Sequence, residues 1–372
     1  MKTKYSYVRI GDYELLEKLG EGGAGAVYRA RQVSLDRTVA VKLLRPSLAA
    51  DQAFLERFQR EARATARLNH EHVVSGISVG FDRGYHYFAM EYIEGESLDA
   101  LLKRDGALRE AEVVRLGAVV ATALAHIHAA GLVHRDVKPA NLMLTTNGAP
   151  KLTDLGLVKD REPVTAMLSR RGFSMGHTVY DNGGLTQEGA VLGTPHYISP
   201  EQASGEREID GRADIYALGC TLYHAATGRT PFEDLPAPQL LVKHLTAPIP
   251  DARTLRPDLS ERFVNLLKRM LERERDARIG RMEEVAYELH ALSEAFQRSS
   301  SPRLAPRLDE APAAGSSIRK FREWSVAKIT RVRRKPRAAK PNRTAHLWAW
   351  LTVGASVLLA GLVAASWWLG RS

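Results

Sequence analysis

A single cysteine, Cys220, stands in a chain of 372 residues. One thiol cannot close an intrachain disulfide, so a disulfide-held secreted scaffold is excluded and a reducing compartment fits. Cys220 sits inside an apolar run, where a thiol acts as a packing residue. The first twenty residues, MKTKYSYVRIGDYELLEKLG, contain no apolar stretch of the kind a secretory signal needs. No internal repeat is present, which excludes solenoids and propellers. Net positive charge is scarce outside one place. The net charge is +10, and residues 318–343 alone hold eleven Lys or Arg against one Glu. The part before that segment is close to neutral. A local basic run beside an apolar span points to anionic lipid, and no nucleic-acid partner is expected.

That apolar span, 347–369, reads LWAWLTVGASVLLAGLVAASWWL and has no charged residue. As a helix its 23 residues reach about 34 Å, against a hydrocarbon core of about 30 Å. Trp348, Trp350, Trp367 and Trp368 lie at its two ends, where indoles favour the membrane interface. The expectation is a single-pass anchor in the cell membrane, with the basic side, and everything before it, in the cytoplasm. Only Gly370, Arg371 and Ser372 follow, so no external sensor is expected. In 318–343, Ile318, Phe321, Trp324 and Val332 are placed to dip into the interface while Lys and Arg meet headgroups. Gly361 and Ala365 form a small-xxx-small pair, a weak signal for a homodimer.

Before the anchor, the periodicity changes at about residue 93. Alternation over 13–19 and around Val39-Ala40-Val41-Lys42-Leu43-Leu44 predicts strands. Phe54, Leu55, Phe58, Ala62 and Ala66 are spaced as on a helix running to Leu68. From 94 to 297 the pattern is helical, with a long apolar helix over 111–130 ended by Gly131. Residues 298–317, rich in Ser, Pro and Ala, are expected as a flexible linker.

The chemistry is concentrated in His134-Arg135-Asp136-Val137-Lys138-Pro139-Ala140-Asn141, followed by Asp154-Leu155-Gly156. This places a carboxylate, an ammonium and a carboxamide at fixed offsets, with a second carboxylate shortly after. Phosphoryl transfer needs such a set: one carboxylate orients a hydroxyl, one cation offsets the moving charge, and an amide and a carboxylate hold Mg2+. Upstream, Gly20-Glu21-Gly22-Gly23-Ala24-Gly25-Ala26-Val27 is a glycine-rich loop whose N–H groups can face phosphate oxygens. A dinucleotide-binding turn shares this spacing, but that turn leads into a helix. Here Val27-Tyr28-Arg29-Ala30 continues as a strand and Val39-Ala40-Val41-Lys42 follows.

Over residues 13–297 the chain resembles the eukaryotic-type protein kinases, and specifically the bacterial serine/threonine members. The resemblance implies an α+β, bilobal protein-kinase-like fold. A β-rich N-lobe (13–93) and a helical C-lobe (94–297) would precede a Ser/Pro-rich, then basic linker (298–346) and one C-terminal transmembrane helix (347–369). It implies ATP and Mg2+ as cofactors and protein substrates as partners. Asp136 would be the catalytic base, with Lys138 near the γ-phosphate. Lysine two residues after the aspartate is the serine/threonine variant and argues against a tyrosine kinase. Lys42 would hold the α- and β-phosphates, with Glu61 as its partner, and Asn141 and Asp154 would hold Mg2+. The nucleotide would also meet Leu19, Gly20, Glu21, Gly22, Gly23, Ala24, Gly25, Val27 and Ala40. Met90 would be the gatekeeper, and the backbone of Glu91 and Tyr92 would bind the adenine edge.

The same resemblance places Thr194, in Gly193-Thr194-Pro195, beside Asp136 and Lys138 on the substrate platform. It pairs Glu201 with Arg278, and makes Asp214 a cap for the catalytic-loop backbone. Leu155 departs from the family's usual Phe, which leaves the metal ligand untouched. The stretch 161–182 reads as an insertion. Arg135 is expected to hold a phosphate on Thr186, the favoured autophosphorylation site, with Thr178 and Ser174 as weaker candidates and Glu188 as a partial mimic. A pseudokinase would be expected to lack Lys42, Asp136, Asn141 or Asp154, and all four are present. The Thr194 to Glu201 platform argues against a small-molecule kinase.

Overall fold

The computed structural model describes residues 8–23, 25–155, 195–233 and 235–300. Ala24, Gly156, Ser174, Thr178, Thr186, Glu188 and Thr194 lie outside the described residues, as do 161–182, the basic run 318–343 and the apolar span 347–369 with Gly361 and Ala365.

The first quarter of the chain builds one antiparallel sheet. Its strands are β1 (Arg9–Ile10), β2 (Tyr13–Glu21), β3 (Gly25–Gln32), β4 (Arg37–Leu44), β5 (Gly76–Asp82) and β6 (Tyr85–Glu91), in the order β1-β2-β3-β4-β6-β5. β4 is buried on both faces, and its period of two sorts its side chains. Val39 and Val41 pack with Tyr13, Ala30 and Ala89 on one face. Ala40 and Leu44 pack with Phe58, Ala62, Phe88 and Met90 on the other. The same period puts Lys42 on the second face, which helix α2 (Gln52–Arg67) covers. A one-turn helix, α1 (Pro46–Ala49), precedes it.

α2 starts two residues earlier than the apolar spacing alone predicts. The Asp51 side chain accepts from Ala53 N at 2.9 Å and from Phe54 N at 3.2 Å, and this cap recruits Gln52 and Ala53 into the helix. The helix ends at Arg67, where Leu68 turns extended. Its buried residues are Phe58, Glu61, Ala62 and Thr65, so a carboxylate occupies an apolar stripe.

The remaining helices are α3 (Leu98–Asp105), α4 (Glu110–Ala129), α5 (Pro200–Ser204), α6 (Arg212–Thr227), α7 (Ala237–Thr246), α8 (Glu261–Met270) and α9 (Met282–Ser300). A small sheet of β7 (Gly95–Ser97), β8 (Leu142–Thr145) and β9 (Pro150–Leu152) lies among them. α4 is long and apolar enough to cross a membrane by length and composition. Instead it forms the core of this lobe, where Leu124 and Ile127 pack with Leu218 on α6, Phe263 on α8 and Leu289 on α9. Cys220 is fully buried in the same core, and burial pushes its thiol well above the ordinary range, which suits the packing role.

α7 carries His244 into this core with 1% of its surface exposed. Tyr216 Oη lies 2.8 Å from its Nδ1, and the edge-on Phe232 ring is 5.1 Å away. Burial, with the neighbouring His196 adding to it, pushes the imidazole from 6.5 down to about 4. The folded state therefore refuses a proton that the unfolded chain takes up. Stability from neutral His244 is whole above pH 6.5 and is lost as the pH falls towards 4, a span that amounts to about 3 kcal/mol. Urea unfolding of His244→Asn beside the parent, at pH 7 and at pH 4.5, is expected to show a smaller acid loss in the variant. Equal losses in the two proteins would remove His244 as the source.

Candidate active site

The glycine-rich segment is the turn between β2 and β3. Gly22 N donates to Gly25 O at 2.8 Å and Gly25 N to Gly22 O at 3.3 Å, a closed hairpin. A Cβ on Gly25 would stand 1.8 Å from Leu43 O of β4, and the residue has φ +157°, so no other side chain fits. The chain leaves this turn as a strand, which excludes the dinucleotide-binding alternative. Glu21 turns its carboxylate to Lys18 and Arg45 at the edge of the hairpin.

Lys42 reaches from β4 to two carboxylates. Its Nζ lies 2.8 Å from Asp154 Oδ1 and 3.6 Å from Glu61 Oε1. The single partner expected from sequence, Glu61, is therefore the more distant of two. Burial alone would lower the ammonium, but Asp154 first and Glu61 second overcome it and hold Lys42 above its ordinary value. Lys42 in turn holds Asp154 below the usual carboxylate range, against burial. Asp154 has φ +54°, a left-handed conformation that costs an aspartate about 1 kcal/mol or more and aims its carboxylate at Lys42. Leu155 follows and is 3% exposed within the large-lobe core, so leucine fills this position without opening the packing.

The loop between α4 and β8 is held from below. Asp214, wholly buried near the start of α6, accepts from His134 N at 2.8 Å and from Arg135 N at 2.7 Å, and His128 Nε2 lies 2.8 Å from it. Arg135 takes φ +66° there, a strain that the two hydrogen bonds to Asp214 offset. On this base stand three functional side chains. Lys138 Nζ donates to Asp136 Oδ2 at 2.9 Å. Asn141 Nδ2 donates to Asp136 O at 2.8 Å and to Asp136 Oδ2 at 3.0 Å. That commits the amide nitrogen and leaves Asn141 Oδ1 as the oxygen for a hard cation. The Asp136 charge acts on both Lys42 and Asp154, so the two halves of the site share one electrostatic field.

The apolar wall is made by Ala40 and Met90 with Val27 and Tyr92 packed against them. Met90 pairs with Ala40 across β4 and β6. At Glu91 the structure narrows which backbone group can meet an adenine edge. Its N–H donates to Ser75 O at 2.9 Å and is not available to an adenine edge, which leaves its carbonyl. Its carboxylate pairs with Lys151 on β9 and accepts from Ser75 N at 3.2 Å. Leu19 is half-exposed at the end of β2, on the rim.

Three further residues belong to the site and were not singled out from the sequence. Met143, on β8, packs against the same apolar cluster as Met90 and Tyr92. Gln202 Nε2 donates to Arg135 O at 3.0 Å, tying α5 to the catalytic loop. Lys151 anchors Glu91. Only Gln202 left a signal, because Ser199-Pro200-Glu201-Gln202 has the form of a capping box.

Comparison with known proteins agrees with this fold. The family profile described as the protein kinase domain matches residues 13–289. Serine/threonine-protein kinase pkn3 of Myxococcus xanthus is 38% identical over 302 residues, which cover 79% of this chain and 52% of that protein. PrkC of Bacillus subtilis is 31% identical over 360 residues, 95% of this chain and 52% of its own length. The chain thus spans about half the length of these curated relatives. Among solved structures, the kinase domain of PknI from Mycobacterium tuberculosis superposes with a TM-score of 0.59 at 29% identity, covering 77% of this chain and 98% of that one. With the two-lobed fold, the strand-borne Lys42 and the Asp136 loop in place, the chain belongs to the protein kinase family, alongside bacterial serine/threonine-protein kinases.

Proposed function

We propose that this chain transfers the γ-phosphoryl group of ATP to serine and threonine hydroxyls of proteins. The observation that carries the reading is the meeting of Lys42, Glu61 and Asp154 with Asp136, which bears on both Lys42 and Asp154 electrostatically. Lys42 would bind the α- and β-phosphates under the β2–β3 hairpin. Met90, Tyr92, Ala40, Val27 and Met143 would enclose the adenine, with the Glu91 carbonyl at its edge. Asp136 would orient the substrate hydroxyl and accept its proton, and Lys138 would offset charge on the group in flight. Asn141 and Asp154 offer two hard oxygens, a donor set that fits Mg2+, and these residues would hold it where it would supply positive charge against the phosphates.

The finer reading places this activity at the cytoplasmic face of a cell membrane. Support comes from the charge-free span 347–369 and the basic run 318–343, which suits anionic lipid. Thr186 is the favoured self-modification site because Arg135, next to Asp136, can hold its phosphate.

One experiment addresses the whole reading. The full chain, made in a bacterial host and taken from the membrane fraction, is incubated with labelled ATP, Mg2+ and a generic protein substrate. Phosphoserine and phosphothreonine are expected without phosphotyrosine. The labelled chain should stay with membranes after an alkaline wash, and mass spectrometry should find phosphate on Thr186. A chain that binds ATP and transfers nothing would instead be a nucleotide-binding scaffold.

A further inference from the structure

Gly76 opens β5 directly against the backbone of α2. A Cβ at this position would stand 3.0 Å from Ala66 N, 3.1 Å from Ala66 Cα and 3.2 Å from Ala66 Cβ. These separations are tighter than ordinary van der Waals contact, and two of the three atoms are helix backbone, which cannot swing aside as a side-chain tip can. One of the two elements would have to move.

The strand side is tied down. Gly76 pairs with Met90 of β6. Next to it, Ser75 O accepts from Glu91 N at 2.9 Å, and Ser75 N donates to the Glu91 carboxylate that Lys151 also holds. The preceding loop is pinned to β9, with Val74 N donating to Leu152 O at 2.9 Å and Leu152 N to His72 O at 2.8 Å. α2 is held to the sheet by the packing of Phe58 and Ala62, without such a ladder, and is the element to yield. Ala66 lies five residues, about 7.5 Å of helix, beyond Glu61. The Glu61 carboxylate is 3.6 Å from Lys42, the outer part of ion-pair range, while Asp154 holds the same ammonium at 2.8 Å. A small outward shift of α2 would release Glu61 and leave Lys42 to Asp154, the carboxylate proposed for the metal.

We propose that the missing side chain at Gly76 sets how deeply α2 seats on the sheet, and so whether Glu61 reaches Lys42. On the functional reading given above, this makes Gly76 a positioning residue for the nucleotide site. Gly76 does not have a left-handed backbone, so alanine is tolerated there conformationally and would by itself favour the strand. Backbone conformation alone would therefore make Gly76→Ala neutral or stabilising. The positioning view predicts weaker nucleotide binding in a protein that still folds.

The test is a cycle of four full-length chains: the parent, Gly76→Ala, Glu61→Gln and the pair. ATP affinity is measured by equilibrium titration, and KM and kcat by transfer to a protein substrate. Gly76→Ala is expected to raise the Kd and KM for ATP about three- to tenfold, with kcat changed less, since misplacement of a binding group acts through geometry. In the Glu61→Gln background the same change should add less than about twofold, because the contact it disturbs is already weakened. An unchanged ATP affinity in folded Gly76→Ala, or the same factor in both backgrounds, would overturn the proposal. If Gly76→Ala does not fold, Gly76→Ala with Ala66→Gly, which removes one of the three close contacts, must fold and bind ATP weakly. Failure of both to fold would make Gly76 a folding residue and end the positioning role. The titration needs no turnover, so a parent chain that binds ATP but transfers nothing defeats the transfer reading while the affinities still judge this one.

Discussion

Asp136→Asn is expected to lower kcat by about 10²- to 10⁴-fold while the KM for ATP moves less than about threefold. Asparagine is nearly isosteric, and its amide oxygen can still accept from Lys138 Nζ and Asn141 Nδ2, which now lie 2.9 and 3.0 Å from Asp136 Oδ2. The loop itself depends on Asp214, which holds the backbone at His134 and Arg135 and is not touched. What asparagine lacks is the charge and the basicity needed to orient a hydroxyl and take its proton. The loss should therefore fall on turnover and spare nucleotide binding, which is assigned to Lys42 and the apolar wall. Steady-state kinetics at saturating protein substrate would check it. A variant within tenfold of the parent kcat would show that Asp136 is not the base, and a rise in the KM for ATP of the same size as the fall in kcat would show that it binds nucleotide instead.

The parts of this site that could be read from sequence are those whose chemistry sits at short spacing on one segment. Asp136, Lys138 and Asn141 are three such groups on one loop, and the hydrogen bonds among them follow from that closeness. Lys42 could be named because the β4 alternation fixes its face. Its bond lengths could not, because Glu61 and Asp154 arrive from a helix and from a loop 112 residues away, and their distances depend on how both pack. The positive φ of Asp154 and of Arg135 is likewise imposed by surroundings, with no local glycine to announce it. Which backbone group of Glu91 stays free was not legible either, because Ser75, the acceptor of its N–H, lies on a different stretch of chain. The end of α4 came out one residue early, at Ala129, since the terminal turn closes on Gly131 at φ +73°. The start of α2 depended on a polar cap, Asp51, which an apolar spacing does not register.

The largest effect on stability is expected at Arg278, which is not one of the reacting groups. Its side chain is fully buried, as is nearly all of Glu201, and the two form a bidentate pair at 2.8 and 3.1 Å. The guanidinium also donates from Nη1 to Arg212 O at 2.7 Å, from Nη2 to Arg273 O at 3.2 Å and from Nε to Glu272 O at 2.9 Å. It lies over the Tyr216 ring, 5.0 Å from the centroid. All five donor positions are thus used, which only a planar fork can do. Arg278→Met is expected to cost about 3 to 5 kcal/mol, because it strands the Glu201 carboxylate out of water. For a domain of this size that corresponds to a fall of roughly 5 to 8 °C in Tm. Arg278→Lys should recover only part of it, since one ammonium cannot reach a carboxylate and three carbonyls together. The double variant Arg278→Met, Glu201→Met separates the contributions. Removing the stranded charge should return some of the loss, but not all, because the carbonyls of Arg212, Arg273 and Glu272 still lack their donor. Thermal melts of the three proteins would decide it. A double variant less stable than Arg278→Met alone would mean that burial of the Glu201 charge is not what makes the single change costly.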